Sequence, residues 1–365
     1  MRSSLLFILL ISITYIISSA QGAKHLSMSW KDVATKMPDA WYGTNEAKTI
    51  AENVLLAQKY IGGWEKNKEH HLPLSESEKS KITAGKAKIG ATFDNGSTIT
   101  ELKFLAKLYA QHQDSRYKEA FEKGLNYIFI SQYDDGGWPQ FFPVRGGNED
   151  YSMHITYNDD AMVNTMNFLR GIFTHEPVYA ALELDPRLIL KAQDAFDTGI
   201  TCILKTQIVV NGKPTVWCAQ HDEKTLAPAK ARSYELPSFS GSESVRIVQL
   251  LMDLPNPSSE VIASIDGAVR WFEDHKIEGI KVETEKDAGG KKNRIVVKDK
   301  NASPIWARFY DLETEKPFFC DRDGIKKNSL AEIGYERRNG YSWYVTSPEK
   351  LLKEYPIWKS SLVKK

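Results

Sequence analysis

The chain has 365 residues, of which 42% are hydrophobic and 26% are charged, and its formal net charge is +1. This length is sufficient for a large hydrophobic core in one or two domains. The near-neutral charge argues against a nucleic-acid partner bound through bulk electrostatics, so an anionic ligand would need a local basic cluster.

The first 20 residues are predicted to be a signal peptide. Arg2 supplies the positive charge, Leu5 to Ile17 form the apolar segment, and Ser18-Ser19-Ala20 offers small residues for cleavage. The apolar segment is too short to favour a transmembrane helix, and no second one follows. We therefore expect an exported protein, secreted or periplasmic, with no membrane span.

The cysteine content indicates a fold that does not depend on disulfides. The chain has three cysteines, Cys202, Cys218 and Cys320, and an odd number leaves at least one thiol unpaired. Cys202 and Cys218 could form a pair, which the sequence does not decide. No Cys–His spacing is typical of a zinc site.

A pattern of glutamine, glycine and tryptophan recurs along the chain. Gln58, Gln132 and Gln207 each end an apolar helical stretch, lie 74 and 75 residues apart, and are followed by a glycine and a tryptophan. A regular spacing of this length predicts a repeated supersecondary unit.

The stretches between these glutamines have mostly helical periodicity. Thr98-Ile99-Thr100-Glu101 has the pattern of a capping box at the start of one helix. The predicted helices are Trp30–Lys36, Asn45–Tyr60, one from Thr98 through Tyr109, Tyr117–Gln132, one after Asp160, Pro186–Gln207, one after Glu243, and Ser258–His275.

Repeated antiparallel helix pairs predict a mainly α fold, an α/α toroid with three hairpins, in a single domain over residues 21–365. The links between successive hairpins are long, namely 62–97, 136–157 and 209–239. Because successive hairpins point the same way, the long links are expected at one end of the scaffold, where functional residues are commonly placed.

The C-terminal part is predicted to be a tail with short strands that packs on the barrel. Residues 285–300 contain a hairpin around Gly289-Gly290, and Trp306 to Tyr310 alternates like a strand. Glu336 to Tyr341 is predicted to be a turn.

Three short polar stretches end the long links and start the next helix. They are Asp94-Asn95-Gly96-Ser97, Asn158-Asp159-Asp160-Ala161 and Ser240-Gly241-Ser242-Glu243. Helix capping explains Ser and Asn at such positions, with Asn158 as the cap of its helix, but it leaves Asp94 surplus. Asp94 facing Asp159 would offer the hard oxygen ligands that calcium prefers. Asn95 and Asp160 are further candidate ligands.

Several segments, in order from about Trp41 to Trp358, resemble the pectate lyases of polysaccharide lyase family ten. They are Asp135-Gly-Gly-Trp-Pro-Gln140, His154-Ile-Thr-Tyr-Asn-Asp-Asp-Ala-Met162, Trp217-Cys-Ala-Gln-His-Asp222, Ala231-Arg-Ser-Tyr-Glu235, Ser240-Gly-Ser-Glu243, Trp306-Ala-Arg-Phe-Tyr310 and Arg322-Asp-Gly324.

The resemblance implies a single catalytic α/α barrel that cleaves polygalacturonate by calcium-assisted anti-β-elimination. It places the calcium ligands at Asp94 and Asp159 and the catalytic base at Arg232. It places arginines that bind uronate carboxylates at Arg308 and Arg322.

The residues support this chemistry while leaving some roles open. Two arginines can hold carboxylates in bidentate fashion, although Arg322 could equally pair with a neighbouring aspartate. The pKa of arginine is high, so the neutral form that can act as a base is scarce at neutral pH. Activity is therefore expected to rise at alkaline pH. Lys205, Lys224 and Lys230 are reserve candidates for the base, and Lys205 is also a candidate for substrate binding. Two histidines, His154 and His221, are interpreted as structural groups.

Two other functional classes remain open from the sequence. A pectin-directed glycoside hydrolase could use Asp159 with Glu235 or Glu243 as paired carboxylates. A non-catalytic protein would bind pectin without shortening it. A monomer is expected in each case.

Overall fold

A computed structural model of the chain describes residues 25–362, except for the side chains of residues 148 and 149. The predicted signal peptide lies outside the described residues. The chain divides into two compact units, the first containing residues up to 130 together with 171–191, the second containing 131–170 together with 192 onward. A single domain over residues 21–365 stays a prediction.

Helices make up most of the regular structure, which confirms the mainly α prediction. They are α1 Trp30–Lys36, α2 Asn45–Ala57, α3 Glu76–Ala84, α4 Ile99–His112, α5 Ser115–Ile130, α6 Ala161–Phe173, α7 Pro177–Ala180, α8 Pro186–Thr206, α9 Glu243–Met252, α10 Ser259–Asp274, α11 Tyr335–Gly340 and α12 Ser347–Leu362. Among these residues, no helix is both long and apolar enough to cross a membrane.

The strands are short and form antiparallel pairs. They are β1 Ile155–Thr156, β2 Val209–Val210, β3 Lys213–Pro214, β4 Gln220–His221, β5 Phe239–Ser240, β6 Ile280–Lys286, β7 Lys292–Lys298, β8 Trp306–Ala307, β9 Phe309–Tyr310, β10 Phe319–Cys320, β11 Lys326–Lys327 and β12 Tyr344–Val345. The pairs are β1 with β4, β2 with β3, β5 with β9, β6 with β7, β8 with β12, and β10 with β11.

In the first unit, α4 and α5 pack together, and α1 and α2 pack against α4. The apolar face of α4 is fully buried at Leu102, Leu105 and Leu108, as its periodicity predicts. Side chains of Ser29 and Thr44 cap α1 and α2 by accepting backbone N–H bonds.

In the second unit, α9 packs against α10, and α12 packs against both of them. The side chain of Asp266 on α10 accepts hydrogen bonds from Tyr355 at 2.8 Å and from Lys359 at 2.6 Å. The predicted hairpin around Gly289-Gly290 is present as β6 and β7.

The three repeated glutamines have the same structural role. Each side-chain amide donates one hydrogen bond to a carbonyl in the following link and another to a carbonyl in a later helix, at 2.7–3.0 Å. The partners are Gly62 and Ala120 for Gln58, Gly136 and Ala195 for Gln132, and Thr215 and Ser264 for Gln207. The repeat in the sequence therefore corresponds to a repeated pair of hydrogen bonds from a glutamine to a link and to a helix.

The C-terminal tail contains a fourth link of the same kind. The indole N–H of Trp306 donates to the carbonyl of Phe272 in α10 at 2.8 Å. Trp64 and Trp217 bond carbonyls of α2 and α8 in the same way. The sequence concealed this link because the β6–β7 hairpin separates Trp306 from the helix before it.

Two local predictions are wrong, namely the turn at Glu336 to Tyr341 and the capping box at Thr98. Residues 336–340 belong to α11 rather than to a turn, and the link 62–97 contains the additional helix α3. The side-chain carbonyl of Asn339 accepts a hydrogen bond from the backbone N–H of Arg294 in β7 at 2.6 Å, a tertiary contact that a local turn pattern does not reveal. Thr98 makes no capping bond, because its hydroxyl accepts from the N–H of Trp64 and donates to the carbonyl of Thr92.

Candidate active site

Two turns with the same backbone precede α4 and α6, one in each unit. Both are single 3-10 turns, Asp94–Gly96 and Asn158–Asp160. Their central residues have a left-handed backbone, with φ of 54° at Asn95 and 53° at Asp159. This conformation is uncommon except for glycine, asparagine and aspartate, and it occurs often at functional sites. It sets the direction in which each polar side chain leaves the helix start.

In the first unit, Asp94 is a buried carboxylate. Its side chain forms an ion pair with Lys66, and its backbone N–H donates to the hydroxyl of Thr92 at 3.0 Å. The neighbouring Asn95 is exposed and donates from its amide to Asn67 at 3.0 Å. Asp94 is therefore a buried carboxylate beside a lysine, and its role as a calcium ligand stays a prediction.

In the second unit, Asn158 does not cap α6 with its side chain as predicted. Its amide nitrogen donates to the carboxylate of Asp159 at 2.8 Å, and its amide oxygen accepts from Arg308 at 3.0 Å. The carboxylate of Asp160 lies 3.7 Å from the guanidinium of Arg246 on α9. Asn158 therefore links an aspartate of the turn to one of the predicted substrate-binding arginines.

Arg308 is held between Asn158 and a buried glutamate. Its side chain is 11% exposed and forms an ion pair with Glu243, which also accepts from the hydroxyl of Ser240. Burial disfavours the charged guanidinium, but the negative charges of Glu243 and, more weakly, of Asp159 raise the pKa of Arg308 above its ordinary value. Arg308 is therefore a fixed cation.

Arg232 forms another arginine–glutamate pair in this unit. The stretch 231–235 makes a tight turn, and Arg232 donates two hydrogen bonds to Glu235, at 2.8 and 2.5 Å. Burial opposes the charged guanidinium. The hydrogen bonds that Arg232 donates to Glu235, together with the negative charge of Glu235, nevertheless raise the pKa of Arg232 above its ordinary value. Burial likewise opposes the carboxylate, but Arg232 and Tyr341 together lower the pKa of Glu235.

Two tyrosines bring the predicted arginines together, and sequence reasoning missed both. Tyr341 donates from its hydroxyl to Glu235 at 2.8 Å, and its ring centroid lies 4.8 Å from Cζ of Arg308 and 5.9 Å from Cζ of Arg232. The ring of Tyr234 lies 5.0 Å from Cζ of Arg232 and 5.9 Å from Cζ of Arg322. We call Arg232, Arg308, Arg322, Tyr234 and Tyr341 the arginine cluster. No local motif marked Tyr341, because it lies at the end of the segment interpreted as a turn, Glu336 to Tyr341.

The two remaining predicted substrate-binding residues are exposed. Arg322 donates two hydrogen bonds to Glu336, at 2.8 and 2.9 Å, rather than pairing with a neighbouring aspartate side chain. Lys205 lies 3.3 Å from Asp135 and is half exposed. Arg322 thus belongs to the arginine cluster through the ring of Tyr234, whereas Lys205 pairs with Asp135, which is not in that cluster.

The two histidines differ in their surroundings, and the three cysteines are alike. His221 is buried between the N–H of Cys218 and the carbonyl of Leu226, and burial lowers the pKa of His221 to about 4, so the ring is neutral and structural as predicted. His154 lies 3.2 Å from Glu223. All three cysteines are free and buried, so the Cys202–Cys218 pair does not form.

The two glutamates proposed for a hydrolase, Glu235 and Glu243, are each paired with an arginine. Glu235 is bonded to Arg232 and Glu243 to Arg308. The catalytic acid of a glycosidase needs a raised pKa, whereas the pKa of Glu235 is lowered. The geometry therefore disfavours Glu235 as a catalytic acid.

Comparison with known proteins identifies the family of the chain. The family model described as pectic acid lyase matches residues 58–352. A search of curated proteins gave no match.

Two solved structures are similar to the chain at 33% sequence identity. One is a family 10 polysaccharide lyase from Cellvibrio cellulosa, with a TM-score of 0.74, covering 88% of this chain and 96% of that one. The other is an aspartate-to-alanine mutant of a family 10 polysaccharide lyase from the same organism in complex with trigalacturonic acid, with a TM-score of 0.73, covering 87% of this chain and 95% of that one.

These similarities identify the class of protein as a polysaccharide lyase. The chain belongs to the pectic acid lyase family, because the family model covers most of its length. The predicted family, the predicted enzyme class and the predicted fold class, a mainly α fold of the toroid type, are confirmed.

Proposed function

We propose that the protein is an exported, calcium-dependent pectate lyase that cleaves polygalacturonate by anti-β-elimination, with Arg232 as the base. The observation that carries this proposal is the arginine cluster, whose member Arg308 is bonded to the turn that contains Asp159. The three predicted arginines beside these two aromatic rings suit a polymer of carboxylated sugars. A fourth, Arg337, lies 4.6 Å from the ring of Tyr234.

The donor atoms of the two turns fit calcium. Asp159 and Asp160 present carboxylates in one turn, and Asp94 presents a buried carboxylate in the other, with the amide of Asn95 beside it. Calcium takes hard oxygen ligands in flexible geometry, and when bound to a uronate carboxylate it stabilises the charge that develops as the C5 proton leaves. We propose Asp94 and Asp159 as ligands, with Asn95 and Asp160 as further candidates.

The chain's own residues divide the remaining work. Arg308 and Arg322 bind substrate carboxylates, and Lys205 is a further substrate-binding candidate. A neutral Arg232 removes the proton from C5, the C4–C5 double bond forms, and the bond between C4 and the glycosidic oxygen breaks. The departing oxygen takes a proton from water, and an unsaturated sugar remains at the new end of the chain. Because Glu235 raises the pKa of Arg232, the base forms only when this pair separates and at alkaline pH.

The test is a time course of ultraviolet absorbance on polygalacturonate, with and without a calcium chelator. We expect an increase from the unsaturated product that the chelator abolishes and added calcium restores. Shortening of the polymer without absorbance would indicate the hydrolase, and binding without shortening would indicate a pectin-binding protein.

Variants separate the roles of the individual residues. Arg232→Ala is expected to lower kcat by at least about 100-fold while substrate binding persists. Asp159→Ala and Asp94→Ala are each expected to raise the calcium concentration needed for half-maximal activity. An Arg232→Ala enzyme with unchanged turnover would exclude this residue as the base. Size-exclusion chromatography with light scattering checks the expected monomer.

A further inference from the structure

His154 and Asp222 face each other across a strand pair that the lyase chemistry does not use. The antiparallel register of β1 and β4 pairs Ile155 with His221. The next residues outward, His154 and Asp222, are therefore cross-strand neighbours, and Glu223 follows directly. The sequence gives no sign of this meeting because His154 and Asp222 are far apart along the chain.

These three side chains have the spacing of a metal centre. A ring nitrogen of His154 and one carboxylate oxygen from each of Asp222 and Glu223 all lie within 4.8 Å of one another. Nδ1 of His154 is 3.2 Å from Oε2 of Glu223, and these side chains are only 18% and 12% exposed. Ligand atoms around a small divalent ion have separations of this order.

Three hydrogen bonds hold the carboxylate of Asp222 in position. Its Oδ1 accepts hydrogen bonds from the backbone N–H of Lys224 at 3.1 Å and of Thr225 at 2.7 Å, and from the hydroxyl of Thr225 at 2.9 Å. Such supporting bonds hold a metal-ligating carboxylate in place. One of the three ligands, Asp222, is therefore held in place by the protein.

We propose that His154, Asp222 and Glu223 bind a late first-row divalent ion such as Zn²⁺. One imidazole with two carboxylates favours zinc, cobalt or nickel over calcium, which prefers oxygen ligands throughout. The ion ties the link that leads into Asn158–Asp160 to the link that contains Arg232. Its role is structural, and it is separate from the proposed calcium site and does not depend on the lyase proposal.

Another histidine–glutamate pair provides a matched control. His275 lies 3.0 Å from Glu315, a contact like that of His154 with Glu223. Among residues 25–362, apart from the two undescribed side chains, His275 is in no group of three metal-ligating residues. If the first pair is only an ion pair, the two histidines should behave alike.

The test is Co²⁺ and Zn²⁺ binding to the full chain after chelator treatment and removal of the chelator. Visible Co²⁺ absorbance, its displacement by Zn²⁺ and calorimetry give the number of equivalents bound and their affinity. Three histidines of the first unit lie close together, with His25 beside His71 and both His70 and His71 beside Trp30, and could bind a further equivalent of metal. The decisive quantity is therefore the number of bound equivalents that each variant loses.

We expect His154→Gln, Asp222→Asn and Glu223→Gln each to weaken one equivalent by about 100-fold or more, and His275→Gln to leave it unchanged. Zn²⁺ should raise the melting temperature of the native protein and of His275→Gln only. Binding that Asp222→Asn and Glu223→Gln leave unchanged, or no binding at all, would overturn the proposal. Circular dichroism of each variant checks folding, and the three substitutions keep similar side-chain volumes.

Discussion

Two arginine–glutamate pairs lie on either side of Tyr341, and they differ in burial. Arg232 is 44% exposed and Arg308 is 11% exposed, while their partners Glu235 and Glu243 are both buried. The aromatic ring of Tyr341 lies beside both guanidinium groups. One pair can therefore open towards solvent and substrate, and the other is held within the protein.

This difference in burial gives a physical reason for the two roles that the family resemblance implies, the base at Arg232 and the binding of a carboxylate at Arg308. A buried cation with two fixed acceptors, Glu243 and Asn158, is suited to presenting one permanent charge. A half-exposed cation with a single carboxylate partner can exchange that partner and lose a proton. The proposed base is thus the arginine whose pair is easier to break.

The largest expected effect is on stability. Arg308→Ala leaves Glu243 as a buried charge without its partner, so we expect a loss of about 3–5 kcal/mol in the free energy of unfolding. Arg232→Ala should cost less than half of that, because water reaches this pair and Tyr341 still donates to Glu235. Urea unfolding at neutral pH measures both.

A double variant tests the cause of this loss. Arg308→Ala with Glu243→Gln should recover part of the stability, because the unpaired charge is removed. Equal losses for Arg308→Ala and Arg232→Ala would contradict the distinction between the two pairs.

The next effect is on the pH dependence of activity. Glu235 raises the pKa of Arg232, so Glu235→Gln should lower that pKa and increase the neutral fraction of Arg232 at a given pH. The rising alkaline limb of kcat/KM is then expected to move to lower pH. Rate profiles on polygalacturonate with saturating calcium measure the shift.

Glu336→Gln is the matched control for this experiment. Glu336 pairs with the exposed Arg322 rather than with Arg232, so its loss should leave the limb in place. If Glu235→Gln moves the limb to higher pH, Arg232 is not the group that titrates.

The smallest effect is expected at the exposed end of the arginine cluster. Arg322→Ala removes a solvent-exposed pair, so stability should change by no more than about 0.5 kcal/mol. A substrate-binding role predicts that KM rises about three- to tenfold with kcat nearly unchanged. Steady-state kinetics on polygalacturonate measure both constants. An unchanged KM would exclude a role for Arg322 in substrate binding.

The helical architecture could be predicted because its determinants are local or periodic. Apolar spacing placed α1, α4 and α10 to within a few residues, and the spacing of Gln58, Gln132 and Gln207 revealed the repeat. Collinear motifs were sufficient to indicate the lyase family. The predictions failed where a side chain served a distant contact, as with Thr98, which holds the link at Trp64 instead of capping α4.

The sequence by itself therefore determined the helical fold class, the family and the residue types of the site. Only the tertiary structure decided which partner each charged group has. Tyr341 meets Glu235 across 106 residues, and His154 meets Glu223 across 69. Burial and pairing set the pKa of each arginine, and both depend on how distant segments pack, which local periodicity does not encode.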